Sequence, residues 1–98
     1  MNSFKIVGSH LCPNTLYAIT KCKEAGLVFS FQDLSASLGD LKSFLALHEH
    51  DAVYASFREM SGREDYPTEG KIGLPCFVFA DGHRTLDLKE AMEKAANE

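Results

Sequence analysis

The sequence predicts an α/β domain built on a four-stranded mixed β-sheet flanked by helices. Three observations lead there. The apolar runs at residues 4–8 and 27–34 bracket a helical pattern that starts at Pro13, giving a β-α-β order. A later pair of extended runs meets across Asp81-Gly82, which is a hairpin signal. A right-handed crossover makes the first two strands parallel, whereas the hairpin adds two antiparallel ones.

Each element has its own warrant. Phe4-Lys5-Ile6-Val7-Gly8 is short and β-rich, with Ile6 and Val7 fitting a strand buried on both faces. From Pro13, the residues Leu16, Ile19, Cys22 and Lys23 recur at helical spacing beside Ala18 and Ala25, and Gly26 supplies the stop. Residues 27–34 alternate, with Phe29, Phe31 and Asp33 on one side, and read as a second strand. Residues 35–40 are small and polar and read as a turn. A helix follows over 40–48, and a shorter one is expected from Asp51 through Val53 and Phe57 to Met60. Residues 62–72 form a loop before the hairpin, whose runs are 76–80 and 84–86. Asp87-x-x-Glu90 then opens the last helix as a capping box. No repeat, low-complexity tract or internal linker divides the chain, so residues 1–98 are expected to form one domain with an extended helical region between strands 2 and 3.

Composition narrows the function. Hydrophobic residues at 45% and charged residues at 24% are ordinary for a folded soluble domain rather than a disordered one. The formal charge of −4, with no basic run, argues against nucleic acid or an anionic membrane as partner. No stretch reaches the roughly 18 apolar residues of a membrane span, and the N-terminus has no signal-peptide pattern, so the expected compartment is the cytoplasm. Three cysteines, at 12, 22 and 76, make an odd count without a close pair. That fits neither a disulfide-stapled scaffold nor a zinc site. In a reducing compartment, each is either a small core residue or a reactive thiol.

Cys12 has the neighbourhood of a reactive one. Pro13 belongs at the first helical position, where its missing N–H costs nothing. Cys12 is then the N-cap, with its sulfur facing the free N–H groups of Asn14 and Thr15 and the positive end of the helix dipole. A cysteine so placed falls from about 8.5 into the range of roughly 3.5 to 7.5. A fall of about two units corresponds to roughly 2.7 kcal/mol. The dipole supplies only about 0.3 to 2 kcal/mol, so local hydrogen bonds must contribute. The Thr15 hydroxyl, one turn on, is a candidate donor, and His10 a candidate positive charge. The opposing reading is an inert, half-buried cysteine in a small-residue loop.

"GLPCFVF" bears on that choice. Pro75 cannot donate to a strand ladder and should open the strand that follows it. A cis Leu74-Pro75 bond would leave the main chain of Leu74 exposed to pair with an extended peptide. With Cys12-Pro13-Asn14-Thr15 at the first strand-helix junction and Pro75 opening the third strand, the chain resembles the glutaredoxins, a branch of the thioredoxin-fold oxidoreductases. The resemblance is strong over 4–34, good over 73–88 and poor between. It implies a thioredoxin fold and a Cys12 thiolate that attacks a glutathione mixed disulfide. A second glutathione then resolves the intermediate, so one thiol suffices and glutathione is a co-substrate rather than a bound cofactor. It further implies that the main chain of Leu74 holds the glutathionyl cysteine beside Pro75. The partner is therefore glutathione or a disulfide-containing protein.

The chain also departs from that family. Ser9 stands where a lysine is usual, and Thr85-Leu86-Asp87 replace a glycine pair and acidic cap. Asp87 is a candidate for an ammonium group or simply the helix cap; Lys71 is a candidate for a carboxylate or simply a solvated loop residue. Cys76 is a candidate resolving thiol, although strand alternation turns it away from Pro75 and its site. Cys22 reads as core. His48 and His50, at i and i+2 on a helix, diverge too far to share a metal. A non-catalytic binding or regulatory module on the same fold is the alternative function. An arsenate-reductase-like reading ranks lower because Ile72-Gly73-Leu74 lack the arginine it would need.

Overall fold

The computed structural model describes residues 4–55 and 74–97. In order, the elements are β1 (Phe4–Gly8), α1 (Pro13–Glu24), β2 (Phe29–Asp33), α2 (Leu38–His50), a 3-10 turn (Ala52–Tyr54), β3 (Cys76–Phe79), β4 (Arg84–Thr85) and α3 (Leu88–Ala96). The strands form one mixed sheet in the order β2-β1-β3-β4. β1 and β2 run parallel, with Phe4 opposite Phe29 and Gly8 opposite Asp33. β3 is antiparallel to β1, pairing Val7 with Cys76, and antiparallel to β4. The α/β class and the mixed four-stranded sheet are those predicted from sequence. Among the described residues, no helix is long and apolar enough to cross a membrane.

Strand alternation divides the core into two layers. Phe4, Ile6, Phe77 and Phe79 point to the face covered by Ala18 and Cys22 of α1 and by Ala91 and Ala95 of α3. Phe4 stacks on Phe79 with ring centroids 5.0 Å apart. Val7 and Cys76 point the other way, against Phe44 of α2 and Tyr54 of the 3-10 turn. The Phe44 and Tyr54 rings meet edge to face at 5.8 Å, a favoured geometry for an aromatic pair.

Element ends depart from expectation in three places, each for a physical reason. The buried stripe of α1 is Thr15, Ala18 and Cys22, not one centred on Leu16, which stays 47% exposed. The helix is rotated by about one residue because Thr15, rather than Leu16, packs against β1. The helix expected from residue 40 begins at Leu38, since Ser37 caps it by accepting the Asp40 N–H at 3.3 Å. The capping box at α3 is incomplete. Asp87 accepts the Lys89 N–H at 3.0 Å as expected, but Glu90 does not reach back. The Thr85 hydroxyl oxygen takes the Asp87 N–H at 3.1 Å, so that donor is already satisfied. Glu90 instead binds His83 at 2.7 Å and accepts the Thr85 hydroxyl proton at 3.1 Å. The helix expected over 51–60 is described only to Ala55, where Asp51 caps the 3-10 turn; its remainder and the 62–72 loop lie outside the described residues.

Turn chemistry matches the sequence. Gly26 and Gly82 both have positive φ, at 71° and 93°, a region in which side chains are strained. Asp81 receives the His83 N–H at 2.9 Å and the Lys94 ammonium at 2.8 Å, tying the hairpin to α3.

Gly8 has a different use. A Cβ built there would lie 2.5 Å from Thr15 Oγ1 and 2.6 Å from its Cγ2. Thr15 is fully buried and stiff at χ1, so it cannot swing clear. Gly8→Ala should therefore cost about 1–3 kcal/mol as overpacking. The readout is a lower urea midpoint at unchanged slope; an unchanged midpoint would mean that α1 slides freely along β1.

Candidate functional site

Cys12 sits where the sequence placed it, at the N-cap of α1 with extended backbone angles of −97° and 116° and Pro13 immediately after. Its carbonyl accepts the Leu16 N–H at 3.1 Å, which starts the helix, and its own N–H donates to the Ser9 carbonyl at 3.0 Å. The thiol is free and partly exposed. Its sulfur closes no regular capping bond, yet the groups around it still act on its charge. Partial burial pushes the Cys12 thiol up. The Thr15 hydroxyl and the N–H groups of Thr15 and Asn14 more than offset this, and the net result lies below the ordinary cysteine value. Thr15 can donate because the Ser9 N–H approaches its oxygen from behind at 3.4 Å, leaving the hydroxyl proton free.

Pro75 follows a cis Leu74–Pro75 peptide at the entrance to β3. Extending the β1–β3 register by one residue sets Pro75 opposite Gly8, the residue on which Thr15 rests. The N-terminal end of α1 and the prolyl turn thus meet at one end of the sheet. Between them lies a groove of about 270 Å³, lined by Asn14 and Tyr17 of α1, by Leu74 and Pro75, and by Leu86 and Leu88 across the β4–α3 junction. Among the described residues, the main-chain N–H and C=O of Leu74 have no backbone partner. That is the pairing capacity an extended peptide requires.

The remaining candidates are dispersed. Asp87 is exposed between Leu86 and Leu88 and serves as the cap of α3. Lys71 lies outside the described residues. Cys76 has no exposure and belongs to the α2 layer with Val7, Phe44 and Tyr54, whereas α1 covers the opposite face. Burial pushes its thiol up to about 11; Tyr54 hydrogen-bonds it, and Asp51 and Arg84 act on it from farther away. This is the environment of a core residue, and it offers Cys76 no approach to Cys12. Cys22 is also sealed in the core, and burial raises its pKa.

His10 is not turned to Cys12 as expected. Its Nδ1 binds Asp33 Oδ2 at 2.6 Å, and its N–H reaches Asp33 Oδ1 at 3.3 Å. Slight desolvation raises the Asp33 carboxyl, but the Ser35 N–H and His10 outweigh it and hold the group below its usual range. His48 packs on the rings of Phe44 and Tyr54. Among the described residues, no three His, Cys, Asp or Glu side chains gather at metal-binding distance.

Ser9 is the residue that sequence reasoning passed over, noticing only the lysine it replaces. It is 4% exposed and makes a contact with every main-chain or side-chain polar group it carries. A polar residue directly after a strand and three before the cysteine was the available signal.

No protein-family model matches the chain, and no curated protein or solved structure does so.

Two measurements check this geometry. In Thr15→Val, the buried Ser9 N–H loses its acceptor, which costs roughly 1–3 kcal/mol, and Cys12 loses a donor. Its alkylation profile should shift to higher pH; a wild-type profile would mean that the hydroxyl does not act on the sulfur. In the native wild type at about pH 8, iodoacetamide should label Cys12 alone. Peptide mapping that finds Cys22 or Cys76 labelled before denaturation would contradict the two sealed sites.

Proposed function

We propose that this chain is a glutaredoxin-like thiol-disulfide oxidoreductase with a thioredoxin-like fold, using Cys12 as its only essential thiol. The observation that carries the reading is Cys12 at the mouth of α1, with a lowered thiol pKa, two residues before Asn14 in the lining of the groove that reaches Leu74 and Pro75. Its substrates are glutathione mixed disulfides or protein disulfides, and its co-substrate is glutathione. A reducing compartment such as the cytoplasm suits that chemistry.

The exchange runs in two balanced steps. The Cys12 thiolate attacks the glutathionyl sulfur of a mixed disulfide, forming the Cys12–glutathione bond as the old S–S bond breaks. The released thiolate leaves with the electron pair and takes a proton from water. A second glutathione thiolate then attacks the glutathionyl sulfur, giving glutathione disulfide and restoring the Cys12 thiolate. A lowered Cys12 pKa helps twice: it raises the thiolate share in the first step and makes Cys12 the better leaving group in the second. Thr15 supplies a hydroxyl where two-cysteine relatives carry a thiol, so no intramolecular disulfide at 12–15 competes. Leu74 offers its main chain to the substrate backbone, and Asp87 is exposed between Leu86 and Leu88, which line the groove.

One observation favours a second reading, a binding module on the same fold. None of the described residues lining the groove is charged, whereas glutathione carries two carboxylates and an ammonium.

The test is a glutathione mixed-disulfide reductase assay with mass analysis of the protein. Wild type should take up one glutathionyl group on Cys12 and turn over; Cys12→Ser should do neither. The rate of attack should rise with pH through the Cys12 pKa and then level, because only the thiolate reacts. Since that pKa is lowered, levelling should come at lower pH than for a free thiol. Adduct formation without turnover would select the binding module, and an ordinary thiol profile would sink the enzyme reading.

A further inference from the structure

We propose that Ser9 is a positioning residue for Cys12, holding the loop that carries the thiol and aiming the Thr15 hydroxyl at the sulfur. The inference rests on the oxidoreductase reading, in that it concerns the same nucleophile, and adds a residue that reading does not use.

Four contacts converge on this one buried serine. Its N–H points at Thr15 Oγ1, 3.4 Å away. Its carbonyl accepts the Cys12 N–H at 3.0 Å. Its hydroxyl oxygen accepts the Leu11 N–H at 3.0 Å and meets the Ser35 hydroxyl at 2.5 Å. A hydroxyl has one proton to give and two lone pairs to fill. With Leu11 on one lone pair, the Ser9 hydroxyl can still exchange a hydrogen bond with Ser35.

The consequences differ along the two branches. Through its main chain, Ser9 holds the Cys12 N–H and supplies a donor to the Thr15 oxygen, which leaves the Thr15 proton free to turn to the sulfur. Through its side chain, it anchors the 9–12 loop to the turn after β2. That turn already holds the loop by the His10–Asp33 pair and by the Leu34 N–H on the Gly8 carbonyl at 2.9 Å. The side chain therefore keeps the main-chain contacts aligned. A lysine at this position could not accept the Leu11 N–H, since an ammonium is a donor only.

Ser9→Ala removes the hydroxyl and keeps the backbone. Leu11 is 73% exposed, so water can take over its N–H and the variant should fold. Cys12 alkylation should then shift to higher pH, and the rate near pH 7 should fall roughly threefold, the equivalent of about half a pKa unit. Ser35→Ala, at an exposed site, should move the profile in the same direction by less, and it carries the test if Ser9→Ala does not fold. A lower melting temperature with the wild-type alkylation profile would mark Ser9 as merely structural and overturn the proposal. Wild-type Cys12 with an ordinary thiol profile would bring down the enzyme reading and this inference together. A depressed wild-type profile that both variants leave in place would bring down this inference alone.

Discussion

One close approach organises the rest of the structure: Thr15 rests directly on Gly8, with no room for a side chain between helix and strand. A helix packed on a sheet usually has some freedom to slide and roll over apolar side chains. Here a branched, fully buried threonine against bare backbone removes that freedom at the helix's first turn. Everything that makes Cys12 unusual depends on this turn being held still. The amides of Asn14 and Thr15, the threonine hydroxyl and the carbonyl of Ser9 keep fixed positions around Cys12 because the helix cannot back away from β1.

The sheet supplies the complementary constraint. Side chains alternate across it, so Gly8 and the residues two and four before it address α1, while Val7 and Cys76 address α2. A one-residue slip in β3 would put Cys76 in the place of Pro75 or Phe77, on the face covered by α1 and α3. The aromatic ladder of Phe4, Phe77 and Phe79 opposes that slip, because it would move two phenyl rings off the face they share with Phe4. Keeping the Cys76 thiol sealed in the α2 layer is thus a matter of strand register.

Much of this was legible in the sequence. The β-α-β order with its parallel first pair, the cap at Cys12, Pro75 opening a strand and the core role of Cys22 all follow from spacing or from proline and glycine chemistry, which act locally. What sequence hid was set by tertiary contact. Leu16 has the stronger claim to burial on hydrophobicity, and only the Gly8–Thr15 contact explains why it faces solvent. His10 is two residues from Cys12, and only the end of β2 reveals that Asp33 claims it. Glu90 sits at the capping-box position, but Thr85, brought in by the hairpin, had already satisfied the donor. Ser9 carries only the weak signal of its place between strand and cysteine, because its significance lies in four partners drawn from three different segments.

The Tyr54–Cys76 contact has one more implication. Two residues far apart in sequence meet in the α2 layer, with Asp51 bound to Arg84 at 3.0 Å beside them. Chain that departs after Tyr54 comes back at Cys76, so this contact clasps the two described ends together inside the core. Doubling the length of chain closed between two such ends costs only about 0.6 kcal/mol in closure entropy. Insertions and deletions there are thermodynamically cheap while the clasp holds. Selection could lengthen, shorten or rewrite that stretch for new partners and leave the thiol's own surroundings as they are.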